Sequence, residues 1–437
     1  MNSPLKKLNA LIVLLILSTL SLSLAGLATA NFTPLPTLPA PVYIRSDGSV
    51  DPSTATLQRV GDTYTFTNNI NNTIEVQRSN IVLDGNGFAL TKPTVNTEDL
   101  MMPVGWLPGV HVVGINNVTI TNIAFEYCVT GVTVENSSGI TISQNTIREA
   151  KGGIVVLSSS DINIMGNNIT LSNQSFATGI NFLPSNPEAS SPYHIKIEGN
   201  RIVGNSIEVP ASPPQPQQYG IWGGFSDSQM IGNDLTKIKG IALYYTGSNN
   251  LIEGNNFQGS YEGILFTGSS ELSVNSTIYG NNFNHNSQNA VVPFIRNPPS
   301  NFWDNDTVGN YWSDYNGTDA NGDGIGDAPY IILTVYYDYA LGKNVTVEEG
   351  RDKYPLLTPV KLRNIPAEPS QSPIPSSSPS PSPSPTPTLA TSESTSPFPS
   401  STLAPSPSIP EFPRWVVVPI VVLASMFLVL RKINKRL

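Results

Sequence analysis

Gly166-Asn167-Asn168-Ile169, Gly199-Asn200-Arg201-Ile202, Gly232-Asn233-Asp234-Leu235, Gly254-Asn255-Asn256-Phe257 and Gly280-Asn281-Asn282-Phe283 repeat one tetrad, Gly-Asn-x-(aliphatic or aromatic), five times along the middle of the chain. Upstream, Asn145 in Ser143-Gln144-Asn145 and Asn122 in Thr121-Asn122-Ile123 continue the series, so that successive asparagines step by 23, 22, 33, 33, 22 and 26 residues. A second mark, Gly followed by Val or Ile, recurs at Gly109, Gly131, Gly153, Gly179, Gly220, Gly240 and Gly263. A repeat of this length, built from β-branched alternations such as Val118-Thr119-Ile120 and Ile162-Asn163-Ile164, is one turn of a coil of about three short strands. The pattern predicts an all-β, right-handed, single-stranded parallel β-helix with terminal caps. Strands of a sandwich would not share a fixed phase of about 22 residues.

Within a coil the alternation should send Ile154 inward, Val155 outward and Val156 inward. Asn at the turn caps unpaired backbone groups and forms a ladder with its copies in neighbouring coils, and the adjacent Gly relieves the corner. Composition fits such a solenoid: only 13% of the 437 residues are charged. The single cysteine, Cys128, excludes an intrachain disulfide framework and reads as a small core residue.

Both ends of the chain point to export. Residues 1–30 carry Lys6 and Lys7, an apolar run from Leu11, and Ala28-Thr29-Ala30, the pattern of a secretory signal peptide. At the other end, sixteen uncharged residues from Trp415 to Leu430 precede Arg431, Lys432, Lys435 and Arg436, a span with its basic tail inside. The expected divisions are a leader (1–30), an N-terminal segment and cap (31–108), coils (109–300), a C-terminal cap (301–360), a disordered Ser/Pro/Thr-rich stalk (361–413), and a transmembrane segment with its tail (414–437). Such a stalk favours extended polyproline II and cannot bury a core. Its hydroxyls and ten Asn-x-Ser/Thr sequons, from Asn31 to Asn344, suit glycosylation. The chain holds 23 Lys and Arg against 32 Asp and Glu; without the two leader lysines and the four basic tail residues, 17 face 32. That acidic exterior argues against a nucleic-acid partner.

Several segments resemble the NosD-like right-handed β-helix family of archaeal surface proteins. They are Pro41 to Val50, Asn80-Ile81-Val82-Leu83-Asp84-Gly85-Asn86-Gly87, the Gly-Asn coils, and the block from Asn310-Tyr311-Trp312-Ser313-Asp314-Tyr315 through Gly326-Asp327-Ala328-Pro329-Tyr330. The resemblance, over about residues 41–357, implies a pectate-lyase-like fold and an association with carbohydrate. The copper in the family's name finds no ligand spacing in three His, six Met and one Cys scattered along the chain. Ile409-Pro410-Glu411-Phe412-Pro413 resembles an archaeal Pro-Glu-Phe sorting signal, in which case the apolar span is cut off and replaced by a lipid.

One motif has metal-loop spacing. Asp319, Asn321, Asp323 and Asp327 fall at positions 1, 3, 5 and 9 of a calcium-type loop, with the Ile325 carbonyl at position 7 and Gly324 at the tight turn. Tyr330 stands where a bidentate Glu belongs, so Asp314, Asp338, Asp352 or water would have to complete the shell. A structural calcium ion is expected. Catalysis has less support: residues 109–290 contain only Asp161, Asp227 and Asp234 as aspartates, and no Asp-Asp pair. Glu198 and Glu253, each preceding a tetrad, are the acids that could align on the stack. Trp222 and Tyr244, which the phase turns outward, and neighbouring Tyr245 are candidates for stacking sugar rings, beside insertions at Asn181–Pro192 and Ser206–Gln218. Packing under those insertions is the competing role for the three aromatics. The expected function is a membrane-anchored, non-catalytic surface protein that binds glycan or surface-layer components; a polysaccharide lyase or glycoside hydrolase is the alternative.

Overall fold

The computed structural model describes residues 40–91, 108–185, 189–206, 217–266, 274–292, 301–338, 342–362 and 365–366; the leader, most of the Ser/Pro/Thr stretch and the apolar C-terminal segment lie outside them. The described chain winds through three long sheets of eleven, ten and nine strands, here sheets A, B and C, and ends in a separate two-stranded hairpin. One coil runs through Thr130–Glu135 in sheet A, Ser138–Ser143 in B and Thr146–Ala150 in C. The next coil pairs with it in parallel, 22 residues on: Val132 with Ile154, Ile140 with Ile162, Ile147 with Ile169. This is a parallel β-helix, wound in the right-handed sense that parallel crossovers adopt.

The alternation fills the interior. Val132, Val134, Ile140, Ile142 and Ile147, and their partners one coil on, are fully buried in one continuous core, each contributing about 1.5–3 kcal/mol by leaving water. Val155 points outward between Ile154 and Val156, yet it is as buried as they are. It lies in an outward column with Thr133 and Asn181, both also buried.

The asparagine ladder is present, with two adjustments. Each ladder Asn Oδ1 accepts both the backbone N–H and the Nδ2 of the preceding Asn, as from Asn145 to Asn167 at 3.0 Å and from Asn200 to Asn233 at 2.9 Å. Asn122 does not belong to it. The rung below Asn145 is Ile123, whose N–H donates to Asn145 Oδ1. Asn122 instead takes the left-handed corner (φ 54°) that Gln144, Gly166 and Gly199 fill in later coils, a conformation Asn and Gly tolerate. The ladder also runs one step beyond the fifth tetrad, to Asn310, whose Oδ1 accepts from Asn281.

The second glycine mark has a steric cause. A Cβ on Gly131, Gly153, Gly179 or Gly220 would sit 2.3–2.6 Å from the backbone carbonyl of the next coil. The register places Ala242, and not Gly240, in that column, between Gly220 and Gly263.

Parallel stacking begins well before residue 109. Val42–Ile44 and Ile74–Val76 already pair in sheet A, and Val50–Asp51 closes that edge antiparallel. At the other end Tyr311–Trp312 pairs with Asn282–Asn284. Trp312 is buried between the rings of Phe283 (4.3 Å) and Tyr330 (4.1 Å), both nearly parallel to it. The hairpin of Tyr330–Asp338 and Lys343–Asp352 follows.

Candidate functional site

The outer face of sheet A carries a cluster of rings. Strand Gln218–Gly224 turns Ile221 into the core and leaves Tyr219 and Trp222 outside, half-buried. Their rings stack with centroids 5.7 Å apart. Tyr244, in register with Trp222 one coil on, meets both rings edge-on, at 5.7 Å from Tyr219 and 6.0 Å from Trp222. Trp222 and Tyr244 are thus brought together, as their phase requires, and Tyr219 joins them.

Tyr245 does not. It is fully buried among Phe225 and Phe266, with its hydroxyl bonded to Gly247 O and Ser276 Oγ, and desolvation pushes that hydroxyl up to about 12. The period-two alternation that turns Tyr244 outward turns Tyr245 inward, which removes it from any outer surface.

Two polar side chains border the rings. Asn181 pairs in register with Trp222, is 1% exposed, and has no hydrogen bond at either Oδ1 or Nδ2. Glu262 continues the column Tyr219–Ile241–Glu262. Its Oε2 has no partner, and desolvation pushes its carboxyl up to about 7. Burial, then Tyr244 and Glu262 nearby, raise the Tyr219 hydroxyl as well. Gln288, next in that column, lines a polar cavity of about 230 Å³ with Asn289, Asp314 and Tyr330. Sequence reading passed over Tyr219 and Glu262, yet both stand immediately before a glycine of the second mark, at Gly220 and Gly263. That shared position was the available signal.

The other acids are dispersed. Glu198 and Glu253 do share a column, but Ile231 separates them, so they stand two coil steps apart, about 9.6 Å. Asp161 faces His194, Asp227 accepts from Asn249, and Asp234 accepts from Asn256.

In the loop at Asp319–Asp327 the oxygens are directed at the loop's own backbone. Asp319 accepts the N–H groups of Gly322, Asp323 and Gly324. Asn321 Oδ1 takes the Asp323 N–H, and Asp323 Oδ1 takes that of Ile325. Asp327 accepts from Thr318 and Ala320. Of the acids that could complete a shell, Asp314 accepts from Asn289 and Tyr330, and Asp352 is buried at the end of the asparagine ladder.

The three stacked parallel sheets define the class, a parallel β-helix. The chain belongs to the NosD family, described as periplasmic copper-binding protein (NosD), which matches residues 46–317. Two curated relatives, each a probable ABC transporter binding protein NosD, are 34% identical over 145 residues (Stutzerimonas stutzeri) and 35% identical over 130 residues (Pseudomonas aeruginosa). Each match covers 30% of this chain, and 30% and 26% of the relative. The chain thus spans less than a third of the curated relatives it matches. Among solved structures, ORF18 of Geobacillus virus E2 overlaps 72% of this chain and 73% of its own at 12% identity and TM-score 0.30. The A-module of mannuronan C-5 epimerase AlgE4 from Azotobacter vinelandii overlaps 56% and 87% at 10% identity and TM-score 0.27. Likeness this shallow does not bear on function. The family's periplasmic description agrees with an exported chain. Among the described residues no helix is long and apolar enough to cross a membrane, and the segment at 414–437 lies outside them.

These findings correct the calcium expectation at Asp319, Asn321, Asp323, Ile325 and Asp327. The family is described by copper, and no group of three or more His, Cys, Asp or Glu able to hold a metal occurs among the described residues. The spacing that suggested a metal loop serves a chain of Asx turns, in which backbone N–H groups supply the positive partners. Copper donors do not converge either. His111 faces Glu75, His194 faces Asp161 and His285 touches Asn284, while Cys128 and Met230 are buried in the core. The described residues do not fit a copper site.

Proposed function

We propose that this chain is an exported, surface-tethered β-helix that binds glycan, without chemistry, on the outer face of sheet A. The observation that carries this is the half-buried cluster of Tyr219, Trp222 and Tyr244, three rings on adjacent coils facing away from the core. Large aromatics with one wet face bind the apolar faces of pyranose rings. Trp222 and Tyr244 have neighbouring polar groups to orient such a ring, and a rigid solenoid holds them in place at little entropic cost. The Ser/Pro/Thr stretch would serve as the stalk, and the apolar C-terminal segment, or a lipid exchanged for it at the Pro-Glu-Phe motif, as the tether.

The raised carboxyl of Glu262 favours a second reading, a lyase or hydrolase with Glu262 as general acid. Against it, the residues in register with Glu262 one coil to either side, Ile241 and Gln288, supply no second carboxylate of the kind paired-carboxylate hydrolysis uses. A glycan array with the full-length chain, read together with reducing-sugar release from the bound glycans, decides. Binding without release is expected; release from any bound glycan would establish the enzyme.

A further inference from the structure

We infer that Asn181 and Glu262 complete, around Tyr219, Trp222 and Tyr244, a subsite that selects an uncharged pyranose chain over an acidic one. The inference rests on the glycan-binding reading above and adds its ligand class.

The geometry comes from the register. Asn181, Trp222 and Tyr244 form one outward column on three successive coils. Tyr219, Ile241 and Glu262 form the column beside it. The rings therefore lie between an amide on one side along the stack and a carboxyl on the other. Coils repeat at about 4.8 Å and residues along a strand at about 3.3 Å, so Asn181 and Glu262, three coil steps and three strand residues apart, are separated by about 17 Å, a span of about three pyranose units.

Among the described residues the Asn181 amide and Glu262 Oε2 have no hydrogen-bond partner. Asn181 is 1% exposed and makes no hydrogen bond at Oδ1 or Nδ2, and Glu262 Oε2 is buried with none. A buried polar group left unpaired destabilises the fold, and each one calls for a partner or a functional reason. The amide can both donate and accept, as sugar hydroxyls do. Glu262 has no ion pair among the described residues, and desolvation favours its protonated form, which also donates and accepts. A uronate would have to leave water without a cation to meet it, and its charge would oppose that of Glu262 whenever that carboxyl ionises, which costs binding free energy. A neutral sugar incurs no such cost.

The test is a binding titration of the full-length chain with neutral hexasaccharides of gluco, manno and galacto configuration and with the matching hexauronates, repeated for Asn181→Ala and Glu262→Ala. The expected result is that at least one neutral hexasaccharide binds and its hexauronate binds at least tenfold more weakly. Each substitution should then weaken the neutral ligand at least fivefold without lowering the melting temperature. Uronate binding equal to or tighter than neutral binding would overturn the inference. So would unchanged affinity in both variants, and if Trp222→Ala still weakened binding, the aromatic platform would stand while the subsite fell. Absence of binding to any of these glycans would remove the glycan-binding reading, and the subsite with it.

Discussion

The backbone N–H of Asn310 donates to Asp352 Oδ2 at 2.7 Å, in the place that an asparagine Oδ1 fills for each ladder residue from Asn145 to Asn281. A carboxylate from the final strand thus ends the ladder. It also accepts from Trp312 Nε1 at 2.8 Å and, through Oδ1, from the N–H of Tyr354 at 3.0 Å. An asparagine here would present an NH₂ needing an acceptor from a further coil, which the described residues do not contain; a carboxylate needs none. Desolvation pushes Asp352 up to about 6, the cost of placing an acid where only an acceptor will do.

The ladder should be a main source of stability, and its membership can be tested by contrast. Asn233 donates to Ile197 O, Ile231 O and Asn255 Oδ1 while accepting from Asn200. Asn233→Ala leaves several buried groups unpaired and should cost about 3 kcal/mol in chemical denaturation. Asn122→Ala, at a left-handed corner outside the ladder with a single part-buried bond to Asp84, should cost less, about 1–2 kcal/mol. Equal losses would put Asn122 back in the series.

How far the sequence could be read follows from the range of each signal. The 22-residue phase reports contacts between adjacent coils, so Ile147 over Ile169 and the tetrad asparagines were legible without coordinates. Asn122 was misread because Asn suits both a ladder rung and a left-handed corner, and a step of 23 instead of 22 was the sole warning. Asn310 was missed as a rung although Gly309-Asn310-Tyr311-Trp312 repeats the tetrad, because its step from Asn281 is 29 residues instead of about 22. At the site, alternation placed Trp222 and Tyr244 outward but says nothing of depth. Val155 and Asn181 are outward and buried, and Tyr245 needed the same alternation applied one residue further. The calcium spacing failed because a short Asp/Asn/Gly run describes an Asx-turn loop as well as a metal loop.

Glu262 gives a pH signature of known sign. Its folded carboxyl sits at about 7 against an ordinary 4.5. The neutral side chain is therefore favoured in the fold, and that stability is present below about pH 4.5 and lost as pH rises through 7. Glu262→Gln should melt with the parent at pH 4 and be more stable at pH 8, by on the order of 1–2 kcal/mol once solvent screening is allowed for. Thermal melts of both proteins at the two pH values check this; a gain at pH 4 as large as at pH 8 would count against it.

The loop at Asp319–Asp327 should be indifferent to chelators. Asp319 holds three backbone N–H groups, so Asp319→Ala should cost about 1–2 kcal/mol, with or without EDTA. The parent's melting temperature should not move when EDTA is added. A fall on chelation that the substitution abolishes would restore a metal to this loop.

The most direct measurement is of affinity and stability together in Trp222→Ala. Glycan affinity and melting temperature are recorded for the full-length parent and the variant under the same conditions. If the outer face of sheet A binds sugar, the substitution lowers affinity about tenfold and changes stability by less than about 1 kcal/mol, because Trp222 lies outside the core. A loss of about 3–5 kcal/mol in stability, as for truncation of a buried aromatic, with no glycan bound by the parent, would contradict the account.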